Sequence, residues 1–250
     1  MGPGDEHDKE QPLAGGRVTG GVVRVGDTVR RSASPASRFV ARLLSHLAKS
    51  GFDGCPQHLG WDQYGRDMLS FVPGYVPPRW QQFTDDQVDC AAALLRQLHD
   101  ATRDLASALG AEVVCHHDPG PNNTVFRDVR PVAFIDFDFA APGHPLEDVG
   151  YMAWAWCISS RPDRGPATEQ ARQVRTMTDA YGLSPTARDR LPAAIRERLC
   201  RNKAFWRGVH DHDATSIPRA RSAEVLAWTR RELAYVEANQ ETFIAALNSG

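Results

Sequence analysis

The apolar positions of this chain keep a strand period near the N-terminus and a helix period over most of the rest. Residues 22–25 (Val-Val-Arg-Val) and 28–31 (Thr-Val-Arg-Arg) are two β-prone runs joined by Gly26-Asp27, which predicts a hairpin. Residues 35–50 carry an apolar stripe at Phe39, Val40, Leu43, Leu44 and Leu47, with Arg38, Arg42, Ser45 and Lys49 opposite; this is an amphipathic helix, closed by Gly51. Short strands at 59–62 and 68–72 surround Tyr64-Gly65, and the Pro/Gly-rich stretch 73–78 reads as a stiff extended linker. Thr84 and Gln87 form a capping-box pattern that starts a helix running to about residue 109, with Val88, Ala91, Ala92, Leu95 and Leu98 on its buried face. Two apolar strands then flank a polar loop, with a turn expected at Arg127-Asp128. Beyond Pro145 the pattern is helical throughout, near 146–159, 167–181, 186–209 and 222–247, punctuated by Pro162, Gly165, Pro166, Gly182, Pro185 and Pro218.

This order predicts an α+β chain rather than alternating βαβ units. Residues 1–16, rich in Gly, Pro, Asp, Glu and Lys, read as a disordered tail; 17–73 read as a small β-rich lobe with one helix; 74–250 read as a larger helical lobe carrying the polar loop. No internal repeat is visible.

Composition narrows the class. A hydrophobic content of 42% and a net charge of -2 suit a globular cytoplasmic protein and signal neither nucleic acid nor membrane as a partner. No apolar run reaches the roughly 20 residues of a membrane span, and the polar start of the chain lacks the apolar core of a secretory signal. Cys55, Cys90, Cys115, Cys157 and Cys200 are odd in number and widely spaced, as expected of reduced, buried thiols. Lysine occurs only at positions 9, 49 and 203, so nearly all positive charge is arginine. Nothing here sets the oligomeric state.

The candidate chemistry lies in residues 113–138. The loop offers a carboxylate at Asp118 and a carboxamide at Asn123, and a second carboxylate, Asp136, ends the next apolar strand. Transfer of a phosphoryl group needs positioning and charge neutralisation above all. Asp118 suits the group that orients an acceptor hydroxyl and takes its proton. Asn123 and Asp136 suit magnesium, which prefers hard oxygen donors. Pro119 and Pro121 stiffen the loop, Gly120 permits a tight path, and the His116 ring suits a backbone brace. A polar hairpin with Asx-turn bonding would account for Asn122 and Asn123 but not for three converging ligands.

The motif His116-x-Asp118-x-x-x-x-Asn123 followed by Ile135-Asp136, with Gly143-x-Pro145-x-x-Asp148 behind it, resembles the signature of the aminoglycoside phosphotransferase family, also described as the phosphotransferase enzyme family. The run 22–31 is similar to an actinobacterial, trifolitoxin-immunity-like branch of it. The resemblance implies a bilobal protein-kinase-like fold and a kinase that moves the γ-phosphoryl group of ATP, or another nucleoside triphosphate, with Mg2+ to a small-molecule hydroxyl such as that of an antibiotic or metabolite. It implies Asp118 as catalytic base and Asn123 and Asp136 as magnesium ligands. It implies an adenine-binding hinge in residues 68–74, with Ser70, Phe71 and Val72 as nucleotide-binding backbone. Asp138, His116 and His117 fall to the acceptor side or a supporting role, and Asp148 to a tie between the loop and an arginine of the helical lobe.

The small lobe departs from that pattern. Kinase-like folds place a lysine on the third strand, paired with a glutamate on the next helix. Here Arg30, ahead of Arg31, stands at that place, and no acid lies between Asp27 and Asp53. Gly15-Gly16 and Gly20-Gly21 do not make a GxGxxG loop. These departures motivate a second reading, a non-catalytic nucleotide-binding or immunity protein on the same fold. A His-Asp metal phosphohydrolase would need His117-Asp118 within a helix, which Pro119, Gly120 and Pro121 forbid. The alternating His210-Asp211-His212-Asp213 reads as a solvated loop rather than a metal cluster. Glu147, Asp163, Asp211 and Asp213 are the acids available for a cationic acceptor.

Overall fold

Five strands, β1 (Gln11–Pro12), β2 (Val23–Val25), β3 (Thr28–Arg31), β4 (His58–Trp61) and β5 (Asp67–Ser70), form an antiparallel sheet in the order β1-β2-β3-β5-β4. The structure is a computed structural model and describes residues 9–13, 21–78, 81–212 and 217–248. The expected tail up to residue 8, Gly15, Gly16, Gly20 and Asp213 lie outside the described residues. Helix α1 (Ser37–Lys49) follows β3, and its predicted stripe is buried at Val40, Leu43, Leu44 and Leu47. The architecture is α+β, with a small antiparallel lobe and a larger helical part.

The helical part begins with α2 (Asp85–Ser107). Its start has the predicted reciprocal cap: Gln87 N–H donates to Thr84 Oγ1, and Thr84 N–H donates to Gln87 Oε1. Strand β6 (Val113–Cys115) leads into the polar loop, and β7 (Thr124–Arg127) and β8 (Arg130–Phe134) make the hairpin after it. The turn sits at Asp128-Val129, one residue later than expected, with both residues at positive φ as a two-residue hairpin turn requires. Strand β9 (Ala141–Gly143), which the sequence did not announce, pairs antiparallel with β6 and brings the chain after Asp136 back beside the loop.

Helices α3 (Pro145–Met152), α4 (Ala167–Tyr181), α5 (Pro185–Asp211), α6 (Arg219–Ala238) and α7 (Gln240–Asn248) complete the chain. The helix expected over 146–159 widens over 153–157, where Ile158 N–H reaches back five residues to the Ala153 carbonyl. The helix expected over 222–247 is two helices. At Asn239 the side-chain amide and the backbone N–H both donate to the Tyr235 carbonyl, which ends α6 there.

The linker is stitched to the helical part: Tyr75 N–H donates to the Phe126 carbonyl at 3.0 Å, and Phe126 N–H returns to Tyr75 at 2.8 Å. Gly74 permits this approach. Its φ is +146°, and a Cβ there would lie 2.4 Å from the Phe126 carbonyl oxygen. One apolar core runs from α1 through α2 and the hairpin to α7, with Trp154 and Trp156 at its centre.

Candidate active site

The loop is anchored from below by one buried carboxylate. Asp148, fully enclosed on α3, accepts the His116 N–H at 2.6 Å and the His117 N–H at 2.7 Å, while His99 Nε2 of α2 lies 3.0 Å from it. His99 in turn meets the Tyr181 hydroxyl at 2.7 Å. Burial alone would raise the Asp148 carboxyl, but the hydrogen bond from His99 and the fields of His99, His117 and His116 outweigh it and hold it below the usual carboxylate range. The tie is therefore to a histidine and two backbone amides; the expected arginine partner is not used, because α2 presents His99 at that place. His117 takes a positive φ of 62° under this clamp. The His116 ring braces the backbone, with Nε2 3.0 Å from the Ile135 carbonyl.

Above this anchor the loop turns at residues 121–123, and Asp118 and Asn123 face each other. Asn123 Nδ2 donates to Asp118 Oδ2 at 2.7 Å and to the Asp118 carbonyl at 3.0 Å. The other carboxylate oxygen, Oδ1, accepts the hydroxyl of Tyr151. Tyr151 lies three residues after Asp148, on the same face of α3, so the helix that clamps residues 116 and 117 also reaches residue 118. Sequence reading missed Tyr151, although this spacing was the available signal. Gly150 lets α3 approach α5; a Cβ there would lie 2.9 Å from Ala194 backbone.

Asp136 closes the cluster. Its φ of 65° puts it in the left-handed region, where Asp is tolerated but strained. Ile135 N–H donates to the Asn123 carbonyl at 2.9 Å, which fixes Asp136 beside the loop. Its carboxyl is pushed upward by partial withdrawal from water and by Asp138, with Arg31 working the other way. Asp138 points to the same place.

The cation facing these two carboxylates is Arg31, not Arg30. Arg31 is buried, and its guanidinium lies 3.4 Å from Asp136 Oδ1 and hydrogen-bonds Asp138 Oδ1. Desolvation works against its charge, but Asp138, Asp136 and Asp67 raise its pKa further. Its neighbour Arg30 points across the strand, where it meets Thr28 Oγ1 at 3.1 Å and Asp62 at 3.6 Å. The acid missing from α1 is replaced from the sheet: Asp67, opposite Arg31 in the register, lies 3.7 Å from its Nε and accepts the Ser37 hydroxyl at 2.5 Å.

The expected hinge is partly engaged already. β5 ends at Ser70, two residues short of the expected end, yet Ser70 N–H donates to the Gln57 carbonyl at 2.9 Å and Phe71 N–H to the Asp27 carbonyl at 2.8 Å, so the residues flanking β4 and the β2–β3 turn hold these two amides. Val72 lies next along, half-buried.

Other candidate clusters are internally satisfied. His99, Cys115 and Asp148, and likewise Cys115, His117 and Glu147, bring donor atoms within 4.8 Å of one another. Burial raises the Cys115 thiol, which disfavours the thiolate a metal needs. Glu147 is held by the His144 N–H at 3.0 Å, His117 Nε2 at 3.2 Å and Arg201 at 2.6 Å, and His117 Nδ1 meets the Phe139 carbonyl at 2.9 Å. His210 and His212 bind Ser222 and the Gly208 carbonyl, and Asp163 pairs with Arg161.

Comparison with known proteins places the chain in a family and a fold. The profile of the phosphotransferase enzyme family matches residues 56–193, more than half of the chain. The trifolitoxin immunity protein of Rhizobium leguminosarum bv. trifolii is 32% identical over 267 residues, covering 93% of this chain and 96% of that protein. Among solved structures, a choline/ethanolamine kinase family protein from Mesorhizobium loti is similar at 19% identity, a TM-score of 0.60 and coverage of 97% of this chain and 93% of that one. A spectinomycin phosphotransferase in complex with ADP and spectinomycin is similar at 12% identity and a TM-score of 0.65, with 93% of each chain covered. At these identities the two structures speak for a shared kinase-like fold. Family profile, curated relative and fold converge: the chain belongs to the phosphotransferase enzyme family.

Proposed function

We propose that this chain is a small-molecule kinase that moves the γ-phosphoryl group of a magnesium-bound nucleotide to an acceptor hydroxyl. The observation that carries this is the Asp118 carboxylate, held between Asn123 and Tyr151 and close enough to Asp136, the partner of Arg31, for its charge to be felt there. Nucleotide as co-substrate is supported by the ADP complex of the spectinomycin phosphotransferase. The Asp136 carboxylate and the Asn123 carboxamide oxygen form a hard donor set, and the raised carboxyl of Asp136 is what a nearby cation would relieve. Magnesium held there would neutralise charge on the polyphosphate. In this reading Asp118 orients the acceptor hydroxyl and takes its proton. Asn123 and Tyr151 fix the direction of its two oxygens. Arg31 donates hydrogen bonds to phosphate oxygens, a role its planar fork suits.

Asp118→Asn tests the assignment. Nucleotide consumption against a panel of hydroxylated antibiotics and metabolites should fall by about a thousandfold or more, while the melting temperature and nucleotide binding hold. Unchanged turnover would remove Asp118 from the reaction.

A second reading is a binding or immunity protein without turnover. The kinship to an immunity protein and the replacement of lysine by Arg31 favour it. Nucleotide binding with no consumption across the panel decides for it.

A further inference from the structure

Beside the catalytic loop a cavity of about 410 Å³ opens between the start of α3 and the first half of α5, large enough for a small molecule. His117, the neighbour of Asp118, lines it. The charged walls are Glu147, Asp189 and Glu197 against Arg190, Arg198 and Arg201. These charges are not equally available. Arg201 engages both Glu147 and Glu197 at 2.6 Å, and Glu147 also accepts from the His144 amide and faces His117. The carboxylates that could have received a polycation are thus largely occupied by protein cations.

Arg198 is in the opposite condition. Its guanidinium lies 4.3 Å from the centroid of the Tyr151 ring, and its Nε is buried with no hydrogen-bond partner. The ring contact stabilises the cation but satisfies none of its N–H donors. Tyr151 is the residue whose hydroxyl reaches Asp118, so Arg198 stands one side chain away from the carboxylate of the loop. Arg190, exposed, adds a second cation to the same wall, against the exposed carboxylate of Asp189. A guanidinium that lines a cavity and carries an unpaired N–H is matched by a carboxylate or another oxyanion.

Building on the kinase reading, we propose that this cavity takes an acceptor that carries an anionic group, bound by Arg198 and Arg190, and presents its hydroxyl toward Asp118. Amino alcohols and polyamino sugars are disfavoured by the same wall.

Calorimetric titration at fixed ionic strength tests this, on protein saturated with magnesium and the non-hydrolysable analogue AMP-PNP. The probes are the hydroxy acids gluconate and glucuronate, set against choline and kanamycin. The expected result is anion binding that weakens about tenfold or more in Arg198→Gln, the effect of losing one charge-assisted contact. Arg190→Gln, at an exposed position, should weaken it in the same direction if Arg198→Gln folds poorly. Arg230→Gln on the exposed face of α6 should leave it unchanged. No binding of either anion overturns the inference, as do anion affinities indifferent to both cavity arginines or preferential binding of choline or kanamycin. Failure of the kinase reading looks different: anion binding persists with its arginine dependence, but no compound in the panel drives nucleotide consumption.

Discussion

Asp118 accepts from Asn123 on one oxygen and from Tyr151 on the other, so its orientation is set before any substrate arrives. Preorganisation of this kind matters most in a reaction that depends on positioning. Tyr151→Phe keeps the ring under Arg198 and removes only the hydroxyl. A charge-assisted hydrogen bond contributes about 1.5–3 kcal/mol, so kcat should fall about tenfold or more with KM for nucleotide little changed. Steady-state kinetics check this, and an unaltered kcat would reduce the contact to packing. Asp148 offers a second test at the same scale. Its replacement by Asn leaves a backbone N–H of the loop without its acceptor and should cost about 3 kcal/mol in urea unfolding at pH 7. The folded pKa of Asp148 is depressed, so its contribution is fully present above the unfolded value of about 3.9 and is lost as pH falls through the lower folded value. The wild type should therefore lose stability on acidification below about pH 4, and Asp148→Asn should show a flatter profile over that window. Equal slopes in the two proteins would assign the acid sensitivity elsewhere.

On the scale of a single element, β3 decides which arginine faces the cleft. Successive side chains alternate across the sheet, so Arg30 and Arg31 cannot share a role. Arg31→Lys keeps the charge but loses the fork between Asp136, Asp138 and Asp67; nucleotide turnover should drop about tenfold or more, whereas Arg30→Ala should change it less than about threefold. Radiometric phosphoryl-transfer assays on both variants check this, and the reverse ranking would restore Arg30. The same strand shows what could be read without coordinates. Asp118 and Asn123 share one short loop, and Asp136 lies just beyond the hairpin that follows it, so their grouping was legible from spacing alone. The sheet-then-helices order was legible from the change of apolar period. Arg31, Asp67, Tyr151 and His99 were not, because their meaning depends on partners far along the chain. Arg31 meets Asp136 across 105 residues, and Asp67 became its partner only through a register that no local pattern specifies. Strand β9 was missed for a related reason: Ala-Pro-Gly has no strand signal of its own and pairs only because β6 offers an edge.

For the molecule as a whole, the two lobes are less independent than their order along the chain suggests. Leu43, Leu44 and Leu47 of α1 belong to the same apolar cluster as α2, the β7–β8 hairpin and the tryptophans of the helical part. His46 Nε2 meets the Ala101 carbonyl at 2.9 Å, Phe134 N–H donates to the Gly54 carbonyl at 2.9 Å, and Arg31 bridges the sheet to Asp136 and Asp138. A core shared this way couples the unfolding of both parts into one transition. Leu47 is fully buried in it, and Leu47→Ala should destabilise by about 3 kcal/mol through lost contacts and the void left behind. The informative readout is tryptophan emission in a Trp61→Phe background, which removes the tryptophan of β4 and leaves the buried Trp154 and Trp156 of the helical part, on other elements than α1, to report. In urea, the fluorescence midpoint should move down together with the far-UV circular dichroism midpoint. If the emission transition stays at its wild-type position while the backbone signal splits into two steps, the small lobe unfolds by itself. The contact of Arg31 with Asp136 would then have to form anew at each closure, instead of being built into a single folded unit.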